Sequence, residues 1–220
     1  MNRTAWDGVF RSGRDLYTRN AEPGVKVYGE ALRREDEVEY RLWDPWRSKL
    51  AAFVLRTPDL PALPSPVRSI LYLGGAHGTT VSHLADIFPN ATLFVIEKSP
   101  TSFSHLLSLG KRRENVLPIL ADAQLPERYA ADVGPVELLY QDVAQRAQAG
   151  IFAENAAACL TADGRGLLMV KVRSVTQTRP SRSVIRSAQE ELSSAGLKVT
   201  WSTELTPFSR DHVGLWIEPV

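Results

Sequence analysis

Hydrophobic and polar positions follow a regular pattern along most of this chain of 220 residues. From Val67 onward, short apolar runs take turns with stretches of helical spacing, which predicts strands and helices in alternation. The strands are predicted at 68–74, 92–97, 116–120, 136–142, 166–172, 197–203 and 213–217, and the helices at 79–88, 100–112, 147–160 and 181–195. Because the connection between the last two strands is too short for a helical crossover, these two should be antiparallel neighbours. The pattern predicts an α/β, Rossmann-like fold with a mostly parallel sheet of seven strands and helices on both faces.

The first 43 residues have a different hydrophobic pattern, in which apolar and polar positions alternate. Alternating apolar and polar positions at 25–29 and 38–43 predict two strands of a small antiparallel sheet. Asp44 followed by Pro45 predicts a helix N-cap, and the helix should run from 46 to about 55. A proline-rich stretch at 58–66 then predicts a stiff connector. We therefore expect a small N-terminal β region with its connecting helix at 1–55, and a larger domain at 56–220.

The first strand of the larger domain ends in a glycine-rich turn. Gly74, Gly75 and Gly78 follow an apolar run, and helical spacing resumes at Thr79. A strand, a glycine turn and a helix in this order form a crevice where the backbone approaches a ligand closely. The next strand ends at Glu97, where a carboxylate accepts both hydrogen bonds from a ribose diol. The first functional hypothesis is therefore the nucleoside half of a cofactor.

Two classes of cofactor use this arrangement. Dinucleotides require Gly-x-Gly-x-x-Gly, and the spacing Gly74-Gly75-x-x-Gly78 matches it poorly. S-adenosylmethionine carries no phosphate, so its loop needs only close backbone approach and room for an amino-acid tail. Asp122 and Asp142 follow the next two parallel strands, and Asp122 suits contact with the adenine amino group. Acidic residues at three strand ends suit a cationic sulfonium better than a pyrophosphate, so S-adenosylmethionine is the preferred cofactor.

The composition and the absence of certain sequence motifs exclude several classes of protein. The net charge of +1 excludes a generally polybasic protein, so any nucleic-acid binding must come from a local patch. There is no signal-peptide pattern and no run of the ~20 apolar residues that a bilayer span needs, so we expect a soluble, cytoplasmic protein without a membrane contact. The single cysteine, Cys159, is predicted to be a buried core thiol. No cluster has metal-ligand spacing and no Gly-x-Ser-x-Gly elbow occurs, so we expect no metal and no acyl-enzyme.

A local basic patch does occur between Arg165 and Gln189. This stretch contains six basic residues and no acidic one, with serine, threonine and glutamine in the gaps. Such a composition suits contact with phosphates, although a solvent-exposed loop and helix face would have a similar composition. The candidate RNA-binding residues are Arg173, Arg179 and Arg182.

Several separated segments, in the same order, resemble the fibrillarin family in its archaeal form, which lacks a glycine–arginine-rich tail. The resemblance covers nearly the whole chain. It is carried by 16–20 (LYTRN), 23–30 (PGVKVYGE), 40–52 (YRLWDPWRSKLAA), 78–83 (GTTVSH), 115–119 (NVLPI), 122–123 (DA), 141–145 (QDVAQ) and 210–212 (RDH).

The resemblance implies an S-adenosylmethionine-dependent methyltransferase that modifies ribose 2′-hydroxyls of ribosomal RNA, and in archaea also of transfer RNA. Family members act in box C/D ribonucleoproteins, where a guide RNA selects the target nucleotide. The resemblance also implies a scaffold protein as partner, which in turn carries a small kink-turn-binding protein.

The resemblance further implies site residues. The catalytic residues would be Lys49, Asp142, Lys171 and His212. Cofactor contacts would come from Thr79, Thr80, Glu97, Lys98, Asp122, Ala123, Asp142, Val143, Ala144 and Gln145, and the turn itself adds Gly74 and Gly78. Family members generally carry an aromatic residue where this chain has Lys98, so we expect weaker cofactor affinity, with the alkyl stem covering the adenine ring. His77 replaces a small residue in the turn, and Gln124 stands where an arginine is common.

A ribose 2′-hydroxyl is a poor nucleophile. Its O–H bond must therefore be polarised, or its proton removed, while the oxygen is held in line with the methyl group. We expect one lysine, made less basic by burial and by the neighbouring cation, to accept or polarise that proton. Asp142 would orient this lysine, while the second lysine and His212 would hold the 2′-oxygen and the adjacent phosphate. Neighbouring strands lie ~4.8 Å apart, which predicts an ion pair between Lys171 and Asp142. The residues leave open which lysine is the base.

Two other functions remain open at this point. One is a small-molecule methyltransferase, which would need neither the basic stretch nor the N-terminal sheet. The other is a non-catalytic protein that binds RNA or protein and retains the cofactor fold. The aromatic residues Tyr17, Tyr28, Trp43 and Trp46 are candidates for a scaffold interface, although aromatic residues in a small sheet also commonly form its core.

Overall fold

The structure is a computed structural model that describes residues 1–175, 178 and 180–220. Within these residues, five N-terminal strands form a small sheet in which every neighbouring pair is antiparallel. Its strands are β1 (Asn2–Arg3), β2 (Val9–Ser12), β3 (Asp15–Arg19), β4 (Leu32–Glu35) and β5 (Val38–Trp43). Their spatial order is β1-β2-β3-β5-β4.

The larger sheet has seven strands in the described part of the chain. They are β6 (Ser69–Leu73), β7 (Thr92–Glu97), β8 (Val116–Leu120), β9 (Val136–Gln141), β10 (Leu160–Lys171), β11 (Leu197–Glu204) and β12 (His212–Pro219). Their order is β11-β12-β10-β9-β6-β7-β8, and β12 runs antiparallel to both of its neighbours while the other pairs are parallel. The predicted α/β fold is confirmed, including the antiparallel last pair.

Helices connect the parallel strands and cover the sheet. They are α1 (Lys49–Arg56), α2 (Thr79–Ile87), α3 (Pro100–Gly110), α4 (Ala130–Val133), α5 (Gln148–Cys159), α6 (Val172–Val175) and α7 (Ser181–Ser194), with a 3₁₀ turn at Pro126–Arg128. The four helices predicted after residue 67 correspond to α2, α3, α5 and α7. In the described residues, no helix is long and apolar enough to cross a membrane.

The predicted strand at 25–29 is wrong, because this segment is a loop. The carboxylate of Glu30 folds back and accepts the backbone N–H groups of Val27 at 3.0 Å and Tyr28 at 2.8 Å, which satisfies donors that a strand would give to its neighbour. The partner of β5 on one side is instead β4, and β3, β2 and β1 extend the sheet on the other side; the sequence predicted none of these four strands.

The predicted helix start at Asp44 is also wrong. The Asp44 carboxylate accepts the Trp46 N–H at 2.8 Å and closes a turn, and the helix begins only after Ser48. Ser48 is the N-cap because its hydroxyl accepts the Ala51 N–H at 3.3 Å and also the indole N–H of Trp43 at 3.0 Å. Both Asp and Ser are good cap residues, and the tertiary contacts decide between them.

Two apolar cores lie on the two faces of the large sheet. One contains Phe152, Leu168 and the buried Cys159. The other joins Trp6, Leu16 and Trp43 of the small sheet to α1 and to the large sheet. The domain boundary expected at residue 55 stays a prediction, and this second core runs continuously across it.

The small sheet and α2 meet at the buried side chain of His83. Its Nδ1 lies 2.8 Å from the Thr18 hydroxyl, its Nε2 lies 2.7 Å from the Tyr28 hydroxyl, and its ring stacks on Trp43 at 5.4 Å. Tyr28 donates its own proton to the Leu42 carbonyl at 2.8 Å, so we assign a neutral imidazole with the proton on Nε2. Burial and the nearby guanidinium of Arg41 hold the pKa of His83 well below its ordinary value.

A buried ion-pair network forms a second joint between the small sheet and α2. Arg41, fully buried in β5, donates to Glu30 at 2.6 Å, to Asp86 at 2.5 Å and to the Ser82 hydroxyl at 2.9 Å. Burial raises the pKa of Glu30, but the N–H groups of Val27 and Tyr28 and the guanidinium outweigh it and hold that pKa below its ordinary value. Each of these charges depends on its partners, because none of them reaches water.

Replacing Arg41 by alanine should lower the free energy of unfolding by about 3–5 kcal/mol, because it leaves the buried Glu30 without its cation and removes one of the two cations that pair with the buried Asp86. Urea denaturation at pH 7 measures this change. Arg34→Ala is the matched control, since the Arg34–Glu37 pair is largely exposed and should contribute less than about 1 kcal/mol. Equal losses in the two variants would contradict the assigned importance of the buried network.

His83 should make the protein less stable as the pH falls below about 6.5. Below that pH the unfolded chain binds a proton at this histidine and the folded protein does not, so the free energy of unfolding falls by up to about 1.4 kcal/mol per pH unit. His83→Gln should remove this part of the slope, measured by denaturation between pH 5 and pH 8. The exposed His105→Gln is the control, and an unchanged slope in the His83 variant would refute the assignment.

Candidate functional site

The carboxyl ends of β6, β7, β8 and β9 meet at one edge of the large sheet, and the site is built there. The turn after β6 is tied to the neighbouring strand by the N–H of Gly74, which donates to the Ile96 carbonyl at 2.9 Å. On the other side, the N–H of Asp142 donates to the Leu73 carbonyl at 3.0 Å. These bonds place the glycine turn between the end of β7 and the residues that follow β9.

Glycine is required in this turn at Gly74. Its φ is +87°, and a Cβ atom there would lie 2.6 Å from the backbone oxygen of Asp142. Gly78, with φ +84°, ends the turn and is the N-cap of α2. The absent side chains leave the backbone itself as one wall of the site.

A cavity of about 240 Å³, here called the acidic cavity, lies beside this turn. It is lined by Gly74, Ala76, Ile96, Glu97, Lys98, Ala121, Asp122, Ala123, Asp142, Val143, Ala144 and Gln145. Nine of these residues are among the twelve that the sequence predicts as cofactor contacts. Of the other three, Thr79 and Thr80 line the neighbouring cavity and Gly78 caps α2.

Glu97 is held in a defined orientation at the end of β7. One of its carboxylate oxygens accepts the Ala76 N–H at 2.9 Å and the other accepts the Ser99 N–H at 2.8 Å. A carboxylate oxygen has more than one acceptor position, so both oxygens retain capacity for a ligand that donates two hydroxyl protons. This arrangement suits a ribose diol.

Asp122 lines the same cavity and is paired with Lys98, whose Nζ lies 3.6 Å from Oδ2. Burial raises the pKa of Asp122, but the Gln124 N–H, the Lys98 charge and the amides of Gln124 and Gln145 outweigh burial and lower it. Asp122 is therefore ionised near neutral pH. Its carboxylate pairs with Lys98 and also lines the cavity, where a ligand can contact it.

A second cavity of about 460 Å³, here called the basic cavity, adjoins the first. The two cavities share the wall formed by Gly74, Ala76, Asp142, Val143 and Ala144. The basic cavity is further lined by Arg47, Lys49, Tyr72, Gly75, His77, Thr79, Thr80, Lys171, Ser209 and His212. All four predicted catalytic residues thus line one cavity, although they come from α1, the end of β9, the end of β10 and the start of β12.

The ion pair in this cavity joins Lys49 to Asp142, with Nζ and Oδ2 2.8 Å apart. The predicted pair between Lys171 and Asp142 is wrong: among the described residues, Asp142 has its ion pair with Lys49. The register explains the difference, because Leu168 is the residue level with Gln141 and Lys171 lies three positions further along β10. Lys49, the first residue of α1, reaches the strand end from outside the sheet.

Lys171 is positioned through its backbone. Its N–H donates to the Gln148 side chain at 2.8 Å and its carbonyl accepts from the same amide at 3.1 Å. Across the antiparallel pair, Lys171 is the register partner of His212. This cross-strand pairing carries the lysine and the histidine to one place in the cavity wall.

Among the described residues, one ring nitrogen of His212 has no hydrogen-bond partner. Its Nδ1–H donates to the Arg210 carbonyl at 2.8 Å, which leaves Nε2 as an acceptor in the neutral ring. Burial lowers the pKa of His212, and the positive charges of Lys49 and Lys171 lower it further. The imidazole is therefore neutral near pH 7 and can accept a hydrogen bond from a hydroxyl group.

Some cavity residues were not predicted as site residues. Arg47 lies within the 40–52 segment that carries the family resemblance, so that segment was a signal for it. Tyr72 reads as an ordinary apolar strand residue, and nothing around Ser209 marks it in the sequence. Ser48 and Thr80 also share a hydrogen bond of 2.9 Å, which connects α1 to the first turn of α2 beside the cavities.

The predicted RNA-binding residues lie only partly in the described structure. Arg173 is exposed on α6 and pairs with Asp211 at 2.9 Å, immediately before His212. Arg182 is exposed on α7. Arg179 lies outside the described residues. Arg173 thus places basic charge near the basic cavity, and no contact among the described residues identifies its ligand.

Comparison with known proteins gives a consistent result. The Fibrillarin family model matches residues 1–218. The chain is 41% identical over 215 residues to the fibrillarin-like rRNA/tRNA 2′-O-methyltransferase of Methanosarcina mazei, covering 95% of this chain and 94% of that protein. Among solved structures it is similar to Aeropyrum pernix fibrillarin in complex with natively bound S-adenosyl-L-methionine, with a TM-score of 0.84, 40% identity, and 92% and 88% of the two chains covered. It is also similar to a chain of a fibrillarin/Nop5p complex, with a TM-score of 0.87, 37% identity, and 97% and 98% covered.

Proposed function

The chain belongs to the fibrillarin family, and we propose that it transfers a methyl group from S-adenosylmethionine to ribose 2′-hydroxyls of ribosomal RNA. The observation that carries this function is the shared wall of the two cavities. A nucleoside site and a cluster of proton-handling side chains meet at Asp142, where a methyl donor and a hydroxyl acceptor can come together. Since the Methanosarcina relative is named for both rRNA and tRNA, transfer RNA is a second proposed substrate.

The residues of the acidic cavity fit S-adenosylmethionine. Glu97 would accept the ribose hydroxyls, Asp122 the adenine amino group, and the bare turn at Gly74 would leave room for the amino-acid tail. The bound cofactor supplies an electrophilic methyl group on a sulfonium. The solved structure of the Aeropyrum relative, which holds this molecule, supports the same assignment.

The basic cavity would prepare the hydroxyl group. Asp142 orients Lys49 through their ion pair, so the ammonium of Lys49 is available to hold the 2′-oxygen or the adjacent phosphate. Lys171 is the candidate to take the hydroxyl proton, because in the described residues no carboxylate lies within ion-pair distance of its amine. The neutral His212 would accept a hydrogen bond from the hydroxyl through Nε2 and fix its orientation.

Partner proteins and RNA complete the proposed activity. A scaffold protein related to Nop5p is the proposed direct partner, because a similar chain is found in complex with Nop5p. Family membership further supports a box C/D guide RNA and a kink-turn-binding protein held through the scaffold. Arg173, Arg179 and Arg182 are proposed phosphate contacts of the guide or target RNA, and the cytoplasmic location stays a prediction.

The alternatives of a small-molecule methyltransferase and a non-catalytic relic are less well supported. Family membership favours RNA as the substrate. The ion pair between Lys49 and Asp142 and the neutral imidazole of His212 form an arrangement suited to a reaction. A non-catalytic protein would not need this arrangement.

In a particle reconstituted with scaffold, kink-turn protein and guide RNA, the protein should transfer a labelled methyl group to the target RNA. The same RNA with a single 2′-deoxy target nucleotide should accept none. Lys171→Gln and Lys49→Gln should each lower the single-turnover rate about 100-fold or more, because each removes part of the proton-handling arrangement. Calorimetry should show that both variants still bind S-adenosylmethionine.

Lys198→Gln, at an exposed position on β11, is the control and should leave the rate unchanged. Methyl incorporation into the 2′-deoxy RNA would refute ribose methylation. Full activity of both lysine variants would refute the assigned site while leaving the reaction itself intact.

Replacing Lys98 by phenylalanine should increase the affinity for S-adenosylmethionine about 5-fold or more. The change frees Asp122 from a competing amine and supplies an aromatic face for adenine. Titration calorimetry measures the dissociation constant, and Lys111→Phe, another exposed lysine outside the cavities, is the control. Weaker or unchanged binding in the Lys98 variant would show that the lysine does not limit affinity.

A further inference from the structure

The side chain of Trp46 is exposed to solvent near the basic cavity. Trp46 is 64% exposed, whereas Trp6, Trp43 and Trp216 are buried. An exposed tryptophan at the mouth of a functional cavity is a surface on which a ligand can stack.

The indole is carried on a rigid turn. The Trp46 N–H donates to the Asp44 carboxylate at 2.8 Å, and the N–H groups of Arg47 and Ser48 donate to the Asp44 carbonyl at 3.1 Å and 3.0 Å. Ser48 is buried and bonded to Thr80 on α2. The side chain is thus presented at a defined place, and little order remains to be imposed when a ligand binds.

A second aromatic ring supports the first. Phe208 lies in the loop before β12, and its ring meets that of Trp46 edge-on with centroids 5.2 Å apart. Trp46 and Phe208 together are here called the aromatic pair. The edge-on contact occupies one side of the pair and leaves more than half of the Trp46 surface open.

The aromatic pair stands at the rim of the basic cavity. Arg47 and Ser209 both line that cavity, and they directly follow Trp46 and Phe208 in the chain. The aromatic pair therefore adjoins two residues of the cavity wall.

The surroundings favour a nucleic-acid ligand over an apolar protein segment. The cavity wall next to the pair carries the cations Arg47, Lys49 and Lys171, which attract phosphate groups. Cations along a groove with an aromatic face beside them are the typical arrangement of single-stranded RNA sites. The open face of the Trp46 indole is large enough to stack on one base, whereas a protein interface needs a much larger surface.

We propose that the aromatic pair stacks on one base of the target RNA strand that is not paired with the guide, where this strand leaves the basic cavity. This inference rests on the function proposed above. Stacking accepts any base, since every base has a π face, so it holds the strand without selecting a sequence. Such a contact would let pairing with a guide choose the nucleotide while Trp46 adds affinity for the strand.

The test measures binding of a 2′-deoxy target RNA, which cannot react, to the reconstituted particle. Trp46→Ala should weaken binding about 5- to 100-fold, the range for one stacked base, and Trp46→Phe should keep most of the affinity. Trp201→Ala, at an exposed tryptophan on β11, should change nothing. With reactive RNA, the loss should appear in KM and not in kcat, and S-adenosylmethionine affinity should be unchanged.

A double-mutant cycle then identifies the stacked base. Abasic sugars are placed one at a time at the unpaired nucleotides of the target strand that flank the segment paired with the guide. At one position the abasic sugar should weaken binding to the wild type as much as Trp46→Ala does, and it should have no further effect in that variant. That non-additivity would locate the base on the indole.

Two results would overturn the proposal. One is additive behaviour at every position, or no effect of Trp46→Ala on RNA binding. The other is loss of the scaffold protein from the particle in the alanine variant, which would make the aromatic pair a protein contact. Failure of the proposed function would look different, because the wild type would then bind RNA without methylating its reactive form.

Discussion

The ion pair between Lys49 and Asp142 is the contact on which the site depends. It is a bond of 2.8 Å between the first residue of α1 and the residue that follows β9, so it ties the N-terminal part of the chain to the edge of the sheet. Asp142 also belongs to the wall that the two cavities share. A single carboxylate therefore orients a lysine on one side and borders the proposed nucleoside site on the other, where it would link substrate positioning to cofactor binding.

The small sheet gives this contact its rigidity. The buried Arg41 and His83 both connect it to α2, the helix whose N-terminus closes the glycine turn. Ser48 extends the same support to α1 through its bond with Thr80. The interactions are buried and mostly charged or polar, so each group depends on having its partner in place. The N-terminal region is thus a support for the site.

Charge is divided between the two cavities in a way that fits their proposed ligands. Glu97 and Asp122 make one cavity attractive to a cation, and the lysines make the other attractive to phosphate. The neutral state of His212 follows from this division, because burial and the nearby lysines disfavour its charged form. The aromatic pair then extends the basic cavity outward along the path that an RNA strand would take.

The sequence by itself determined the sheet of the larger domain, the glycine turn and the acidic strand ends. These are local patterns, since apolar runs, glycine and Glu97 report on their own neighbourhood. The family resemblance added Lys49 and His212, whose types and spacing carry no such signal. Only the tertiary structure decided that Lys49, and not Lys171, pairs with Asp142, that Ser48 caps α1, and that 25–29 is a loop. The physical reason is the same in all three cases: each outcome depends on register or on competition between partners far apart in the chain, and a local pattern contains neither.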